Sequence, residues 1–238
     1  MSITTEKGTA VCDLFNRIAP YYDFINSLAS FGRHHYWRQA LIELSGVSLG
    51  AAVLDVCCGT GLISIGIAKK TGTQGKVIGV DFSEGMLEIA RRNCNKAGLG
   101  KAIELLQADA LSLPFAANTF DCAVIGYGLR NMNNLRQALL EIMRVIKPGA
   151  RLASLELAHP YLPVFKPLYY LYLNRWIPFI GKILAGNQYA YQYLAESVRN
   201  YPKQGQVTKI FSELGFLNPQ CYELTWGIAA IHTGIKPG

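Results

Sequence analysis

Val53-Leu54-Asp55-Val56-Cys57-Cys58-Gly59-Thr60-Gly61 is the stretch that decides the fold. A short apolar run carries one acid and then breaks into a turn with two glycines one residue apart. A helix-forming run, Ile63 to Lys70, follows at once. Strand, tight turn and helix in this order bring backbone N–H groups close to a small ligand. A second apolar run, Lys76 to Val80, ends in Asp81, which is well placed to bind a ribose diol. The expected ligand is nucleoside-like.

The pattern continues outward from this unit. Strands are predicted near 52–56, 76–80, 103–107, 121–126 and 151–156, and helices near 60–71, 84–97 and 134–146. Ser83 caps the second of these helices, and Lys147-Pro148-Gly149 reads as a stop after the third. Such alternation implies a parallel sheet with helices on both faces. A last helix (204–214) and two closing strands (about 218–224 and 227–235) complete it. Before the sheet, residues 9–45 form an aromatic-rich helical cap broken at Pro20 and Gly32. After Glu156, residues 159–194 hold seven tyrosines, two phenylalanines and one tryptophan, which reads as a helical insertion rather than another βα unit. The chain is expected to be a single α/β domain over 1–238, with the cap near 9–45 and the insertion near 159–200.

Composition narrows the class. With 238 residues, 50% of them hydrophobic and 16% charged, the chain can bury one core and is not of a disordered type. No apolar run approaches the ~20 residues that span a bilayer. The N-terminus lacks the apolar core of a signal peptide, so a cytoplasmic protein is expected. Six cysteines without C-x-x-C spacing suit neither a zinc clamp nor a disulfide framework, and no metal is expected. The net charge of +7 comes from dispersed residues with no K/R-rich stretch, which argues against nucleic acid. A basic face drawn to anionic lipid headgroups is the functional alternative to a generally basic enzyme.

Two residues choose among nucleoside cofactors. A dinucleotide fingerprint needs glycine at position 64, where Ser64 stands. Asp55 places a carboxylate where phosphates would sit, which repels them but suits a cationic amino-acid portion. S-adenosylmethionine carries that cation and no phosphate. Asp109 and Ala110 end the third strand, where Asp109 can bond an adenine amino group. Gly126-Tyr127-Gly128 ends the fourth, which Asp121 opens. Ligands of open α/β sheets lie at these carboxyl ends. Any one of these acids could simply cap a helix or turn; the recurrence of the set at one edge points to a site.

The run Val53–Gly61, the segment Val80–Leu87 and the spacing Asp109-Ala110…Leu113-Pro114-Phe115…Phe120-Asp121 resemble class I methyltransferases. Narrower motifs are Phe15–Asp23 with Ser30-Phe31-Gly32, Tyr127–Asn131, Tyr193–Arg199 and Leu224–Gly234. These resemble the ubiquinone/menaquinone biosynthesis C-methyltransferase family, and the likeness covers nearly the whole chain. That family usually has an acid where this chain has Leu62. The resemblance implies a Rossmann-like sheet and methyl transfer from S-adenosylmethionine to a ring carbon of a demethylated prenylated quinol, most of all demethylmenaquinol.

It also implies a set of site residues. Asp55, Gly59, Thr60, Gly61, Asp81, Phe82, Met86, Asp109, Ala110, Gly126 and Tyr22 are expected at the cofactor. Arg130 is the first choice for stabilising a developing phenolate, because its guanidinium is always charged. Tyr127 and Asn131 would orient the substrate oxygens, and Glu156 is a candidate proton acceptor, as is His232. Glu196, Arg199 and His232 are candidate substrate contacts, although a plain i,i+3 ion pair explains the first two at least as well and a lone histidine on a closing strand is more often structural. A lipophilic quinol implies peripheral membrane contact, with a homodimer left open. The competing classes are a phylloquinone, ubiquinone-precursor or other phenol methyltransferase, a nicotinamide oxidoreductase, and a cofactor-binding protein without catalysis.

Overall fold

The computed structural model describes residues 6–163, 165–177 and 188–238. The strands are β1 (Ala52–Val56), β2 (Lys76–Asp81), β3 (Ile103–Gln107), β4 (Phe120–Gly126), β5 (Ile146–Leu157), β6 (Leu217–Leu224) and β7 (Ala229–Ile235). Among the described residues they form one sheet in the order β3-β2-β1-β4-β5-β7-β6. The first five run parallel, and β7 runs antiparallel to both β5 and β6. This is the mostly parallel sheet with an antiparallel closing strand that the sequence predicts.

Helices cover both faces. The cap is α1 (Glu6–Ile18), α2 (Tyr22–Ala29) and α3 (Arg33–Leu44); the crossovers are α4 (Leu62–Thr71), α5 (Glu84–Lys96) and α6 (Leu135–Val145). The insertion supplies α7 (Phe165–Leu171), running on into a π turn at Tyr172–Trp176, and α8 (Gln188–Asn200); α9 (Gln204–Glu213) follows. The part of the insertion at 178–187 lies outside the described residues.

Strand β1 shows why its sequence is apolar at nearly every position. Val53 packs with Leu41 of α3 and Ile67 of α4, while Leu54 and Val56 pack in the cluster of Leu139 of α6 and Phe211 of α9. A strand buried on both faces loses the apolar–polar alternation of a half-exposed one. A third cluster joins cap, insertion and α5 through Leu14, Ile25, Met86, Leu173 and Val198. Each such side chain contributes about 1.5–3 kcal/mol when fully buried.

Two local expectations are corrected. The third crossover helix ends at Val145, as the stop signal predicts, but β5 begins at Ile146 rather than 151, so Lys147-Pro148-Gly149 lies within the strand. The segment forms a bulge between the Phe120–Ile146 and Cys122–Arg151 pairs, with Gly149 at φ +78°. The last strand starts at Ala229 rather than 227, since Thr225, Trp226 and Gly227 form a left-handed turn at φ +50°, +56° and +83°.

The cap is built into the core rather than laid on it, and Leu41 has no exposed surface. We expect Leu41→Ala to cost about 2–5 kcal/mol in urea unfolding. A single transition that shifts as a whole is expected; a separate early phase for the cap would contradict its integration.

Candidate active site

The turn after β1 is held from β2. Asp81 accepts from the backbone N–H of Gly59 at 2.8 Å and of Ser83 at 2.9 Å, and Cys58 N–H donates to the Val80 carbonyl at 2.9 Å. Gly61 stands just before α4 at φ +78°, and a Cβ there would lie 3.1 Å from that of Ala90. Cys57 and Tyr127 follow β1 and β4 in the left-handed region, at φ +56° and +60°, although neither is glycine. Such strain is concentrated at ligand-binding edges.

Two adjoining cavities open at this edge. The first, about 1020 Å³ with its open mouth, has Asp81, Phe82, Met86, Asp109 and Ala110 in its wall. The second, about 910 Å³, is lined by Thr60, Leu62, Arg130 and aromatics of cap and insertion that include Trp37, Tyr169 and Tyr172. Tyr22, Cys57, Gly59, Gly126 and Tyr127 line both and form the partition. One cavity thus offers carboxylates with an apolar wall, and the other an aromatic chamber with the Asp23 carboxylate and two guanidiniums, that of Arg38 from the cap and that of Arg130 at the sheet edge.

The Arg130 guanidinium is locked. Arg130 Nη1 donates to Glu156 Oε2 and to the Tyr127 carbonyl, both at 2.7 Å, and its backbone N–H donates to Glu156 Oε1 at 3.2 Å. Both side chains are almost wholly buried. Burial opposes charge on Arg130, but Glu156 outweighs it and holds the guanidinium above its ordinary range. Burial pushes the Glu156 carboxyl up, and Arg130 pulls it part of the way back.

The expected site residues separate into two groups. Tyr22, Gly59, Thr60, Asp81, Phe82, Met86, Asp109, Ala110, Gly126, Tyr127, Arg130 and Asn131 all line one cavity or the other. Asn131 also donates to the Tyr127 carbonyl at 3.1 Å and accepts from Tyr193 of α8 at 3.2 Å. Several others fall elsewhere. Asp55 has no exposed surface and accepts the Ser64 hydroxyl at 2.5 Å behind the turn. It shares the Val53 face of β1, so it supports the turn instead of lining a cavity. Gly61 shapes the same turn from behind. Glu156 is paired with Arg130 and is not open to the chamber as a proton acceptor.

Glu196 and Arg199 are exposed on α8, because Ala195 and Val198 take its buried face; Arg199 donates to Asn174 at 2.7 Å. His232 sits opposite Ser154, under α9, and its Nε2 bonds the Gln204 carbonyl at 3.0 Å against the Phe211 ring. None of these three reaches either cavity. Asp121 lies at the opposite edge, bonded to Ala52 N–H and to Lys147.

Sequence reasoning named Tyr22 of the cap but missed the cap's polar groups. Asp23 accepts the Thr60 hydroxyl at 2.9 Å, and burial raises its pKa. Asn16 accepts from Ser83 Oγ at 2.6 Å and from Gly85 N–H at 3.0 Å; a Cβ on Gly85 would lie 3.2 Å from the Asn16 backbone. His34 and Arg38 of α3 also line the second cavity. Asn16 and Asp23 stand within the N-terminal motif, but their partners lie 67 and 37 residues away, a pairing no local spacing signals.

The sheet order and the paired cavities at its carboxyl edge define a class I methyltransferase. The profile of the ubiE/COQ5 methyltransferase family matches residues 3–236, and the chain belongs to that family. It is 42% identical over 232 residues to the demethylmenaquinone methyltransferase of Desulfitobacterium hafniense strain Y51, covering 98% of this chain and 92% of that one. It is 40% identical over 223 residues to the enzyme of that name from Staphylococcus aureus strain JH9, covering 94% and 91%. Among solved structures, a SAM dependent methyltransferase from Aquifex aeolicus superposes with TM-score 0.66 at 21% identity, over 90% of this chain and 97% of that one. Phosphoethanolamine N-methyltransferase 2 of Haemonchus contortus, in complex with S-adenosyl-L-methionine, gives 0.62 at 15%, over 84% and 52%.

Two outcomes follow from the buried charges. Burial pushes the Asp55 carboxyl up to about 7, while Ser64 moderates the rise. A carboxyl raised by folding contributes stability that is present below about pH 4 and lost as pH climbs through the folded value. Asp55→Asn should therefore flatten the fall in melting temperature between about pH 5 and pH 8; parallel curves for variant and wild type would refute this. Arg130→Met leaves Glu156 buried and unpaired, with an expected cost of about 3–5 kcal/mol. The double variant Arg130→Met/Glu156→Gln should recover much of that loss in the same unfolding assay, without recovering activity.

Proposed function

We propose that the protein transfers the methyl group of S-adenosylmethionine to a ring carbon of demethylmenaquinol, a naphthoquinol with an isoprenoid tail. The observation that carries this reading is the pair of cavities divided by Tyr22 and Tyr127, one acidic and nucleoside-sized, the other apolar and aromatic. The relatives named for demethylmenaquinone support the choice of ring.

The residues fit the donor. Asp81 and Asp109 stand in the wall of the first cavity, and burial raises the Asp81 carboxyl. A cationic sulfonium with an ammonium suits carboxylates at this edge, and phosphates would be repelled by them. Asp81, fixed by two N–H groups, would take the ribose hydroxyls; Phe82, Met86, Asp109 and Ala110 would enclose the adenine; Gly59 and Thr60 would face the amino-acid end. When bound, the cofactor supplies an electrophilic methyl group.

The chain's own work is to make a ring carbon nucleophilic and to aim it. Arg130 would stabilise the phenolate oxygen in a chamber where low polarity strengthens the interaction. Its salt bridge holds the guanidinium at a set angle. Tyr127, at the partition, would stand where ring and methyl meet, and its strained backbone leaves little freedom to drift.

The tail accounts for apolar side chains left exposed on the cap, the insertion and the turn before β7. Phe24, Phe31, Leu168, Leu171, Trp176 and Trp226 are more than half exposed, and Phe31 packs 5.9 Å from Tyr172, a cavity residue. Arg33, Lys166 and Arg175, close in sequence to Phe31, Leu168 and Trp176, are exposed too. Exposed aromatic and basic residues suit the headgroup zone of an anionic bilayer. No helix among the described residues is long and apolar enough to cross it.

The test is incubation with labelled S-adenosylmethionine and a panel of reduced demethylated quinones. Label on the naphthoquinol ring is expected, and labelling of soluble phenols alone would exclude the reading. Asp81→Ala should weaken cofactor binding in calorimetry by at least about tenfold, as loss of a charge-assisted bond implies. Phe31→Ser with Trp176→Ser should reduce sedimentation with anionic vesicles and spare turnover of a short-tailed, detergent-solubilised quinol.

A further inference from the structure

His34 of α3 is a buried histidine in the wall of the second cavity, and the roles described so far leave it unused. Its hydrogen bonds settle its tautomer. Ser30 Oγ lies 2.7 Å from the Asn26 carbonyl oxygen, a contact that needs the hydroxyl hydrogen between the two oxygens. Ser30 has no second hydrogen, so its 2.7 Å contact with His34 Nδ1 must carry the imidazole proton. The His34 backbone N–H, 3.3 Å away, also points to that oxygen. Nδ1 is therefore the protonated nitrogen, and Nε2 keeps its lone pair.

Resting on the quinol reading above, we propose that Nε2 of His34 is the proton acceptor that removes the ring hydrogen after methyl transfer. In this step the ring carbon forms a bond to the methyl carbon as the sulfur–methyl bond breaks, and that pair stays on sulfur. The ring C–H bond then breaks, its electron pair restores aromaticity, and the proton passes to Nε2 and on to water. Charge balances: the phenolate held by Arg130 and the sulfonium become a neutral dienone and a thioether, and loss of the ring proton to Nε2 returns the phenolate, which regains from water the proton that the quinol hydroxyl released, so that one proton is set free per turnover.

Other groups in the chamber are less suited. Glu156 is committed to Arg130, and burial raises Tyr127 far above the ordinary phenol range. Asp23 lines the same cavity, but its carboxylate is engaged by the Thr60 hydroxyl. Burial first, then Arg38 and His35, lowers His34 to about 4, so the ring is neutral at physiological pH. Restoring an aromatic ring drives the proton out, so a weak base that is always unprotonated serves this step.

The test compares wild type with His34→Gln, using quinol deuterated at the carbon to be methylated. Nitrogen-15 NMR of the wild-type histidines should show His34 with Nδ1 protonated; the opposite tautomer would overturn the proposal. In the variant, kcat should fall by about 10²–10⁴-fold. A primary deuterium isotope effect should appear on kcat but not on kcat/KM, because methyl transfer precedes proton loss and is irreversible. Added imidazole should restore part of the rate. Calorimetric affinity for S-adenosylmethionine and the melting temperature should stay near wild type, and if this variant misfolds, His34→Asn is read in the same way. Full turnover in a folded variant, or loss without isotope effect and rescue, overturns the proposal and leaves the quinol reading standing. A wild type that methylates no quinol removes both.

Discussion

The ion pair of Arg130 and Glu156 is the constraint on which the site depends. It joins the turn after β4 to the end of β5, where both charges are almost wholly buried. Removing such charges from water costs several kcal/mol each, repaid only by good geometry and further hydrogen bonds. Arg130 meets that condition by also bonding the Tyr127 carbonyl. The same bond fixes the left-handed backbone at Tyr127, the residue that divides the two cavities. One interaction thus places the partition, the cation and the edge of the sheet together.

Around this centre the site is assembled from segments far apart in the chain. Asn16 and Asp23 belong to the cap, yet their partners stand at the start of α5 and in the turn after β1. Tyr172 of the insertion donates to the Ala29 carbonyl of the cap at 3.0 Å. The cofactor turn, the cap and the insertion therefore close on one another, and the second cavity exists only where all three meet. Its polarity follows from that origin: the sheet edge brings Arg130, the cap brings Asp23, His34 and Arg38, and cap and insertion together bring most of the aromatics.

Much of this was legible beforehand. The parallel strands could be read because burial on both faces leaves continuous apolar runs between turn residues. Asp81 and Asp109 could be read because strand ends at the carboxyl edge are where ligands lie. Glu196, Arg199 and His232 were misplaced for a geometric reason. A motif names residues, but whether position 196 or 195 faces inward depends on how α8 is rolled against its neighbours. His232 likewise follows strand parity, which turns it toward Phe211 beneath α9. Asp55, expected at the cofactor, answers Ser64 across the turn and lines neither cavity, because strand parity puts it on the Val53 face of β1.

By itself the sequence determined the α/β class, the ligand-binding turn at residues 53–61, and the family. These are carried by local patterns: apolar runs, turn residues and short motifs. Only the tertiary structure decided which polar groups share a cavity, that Arg130 is committed to Glu156, and that Ser30 fixes the tautomer of His34. Hydrogen bonds and buried ion pairs depend on distances of a few ångströms between residues remote in the chain. Those distances are set by packing, which no spacing along the sequence encodes.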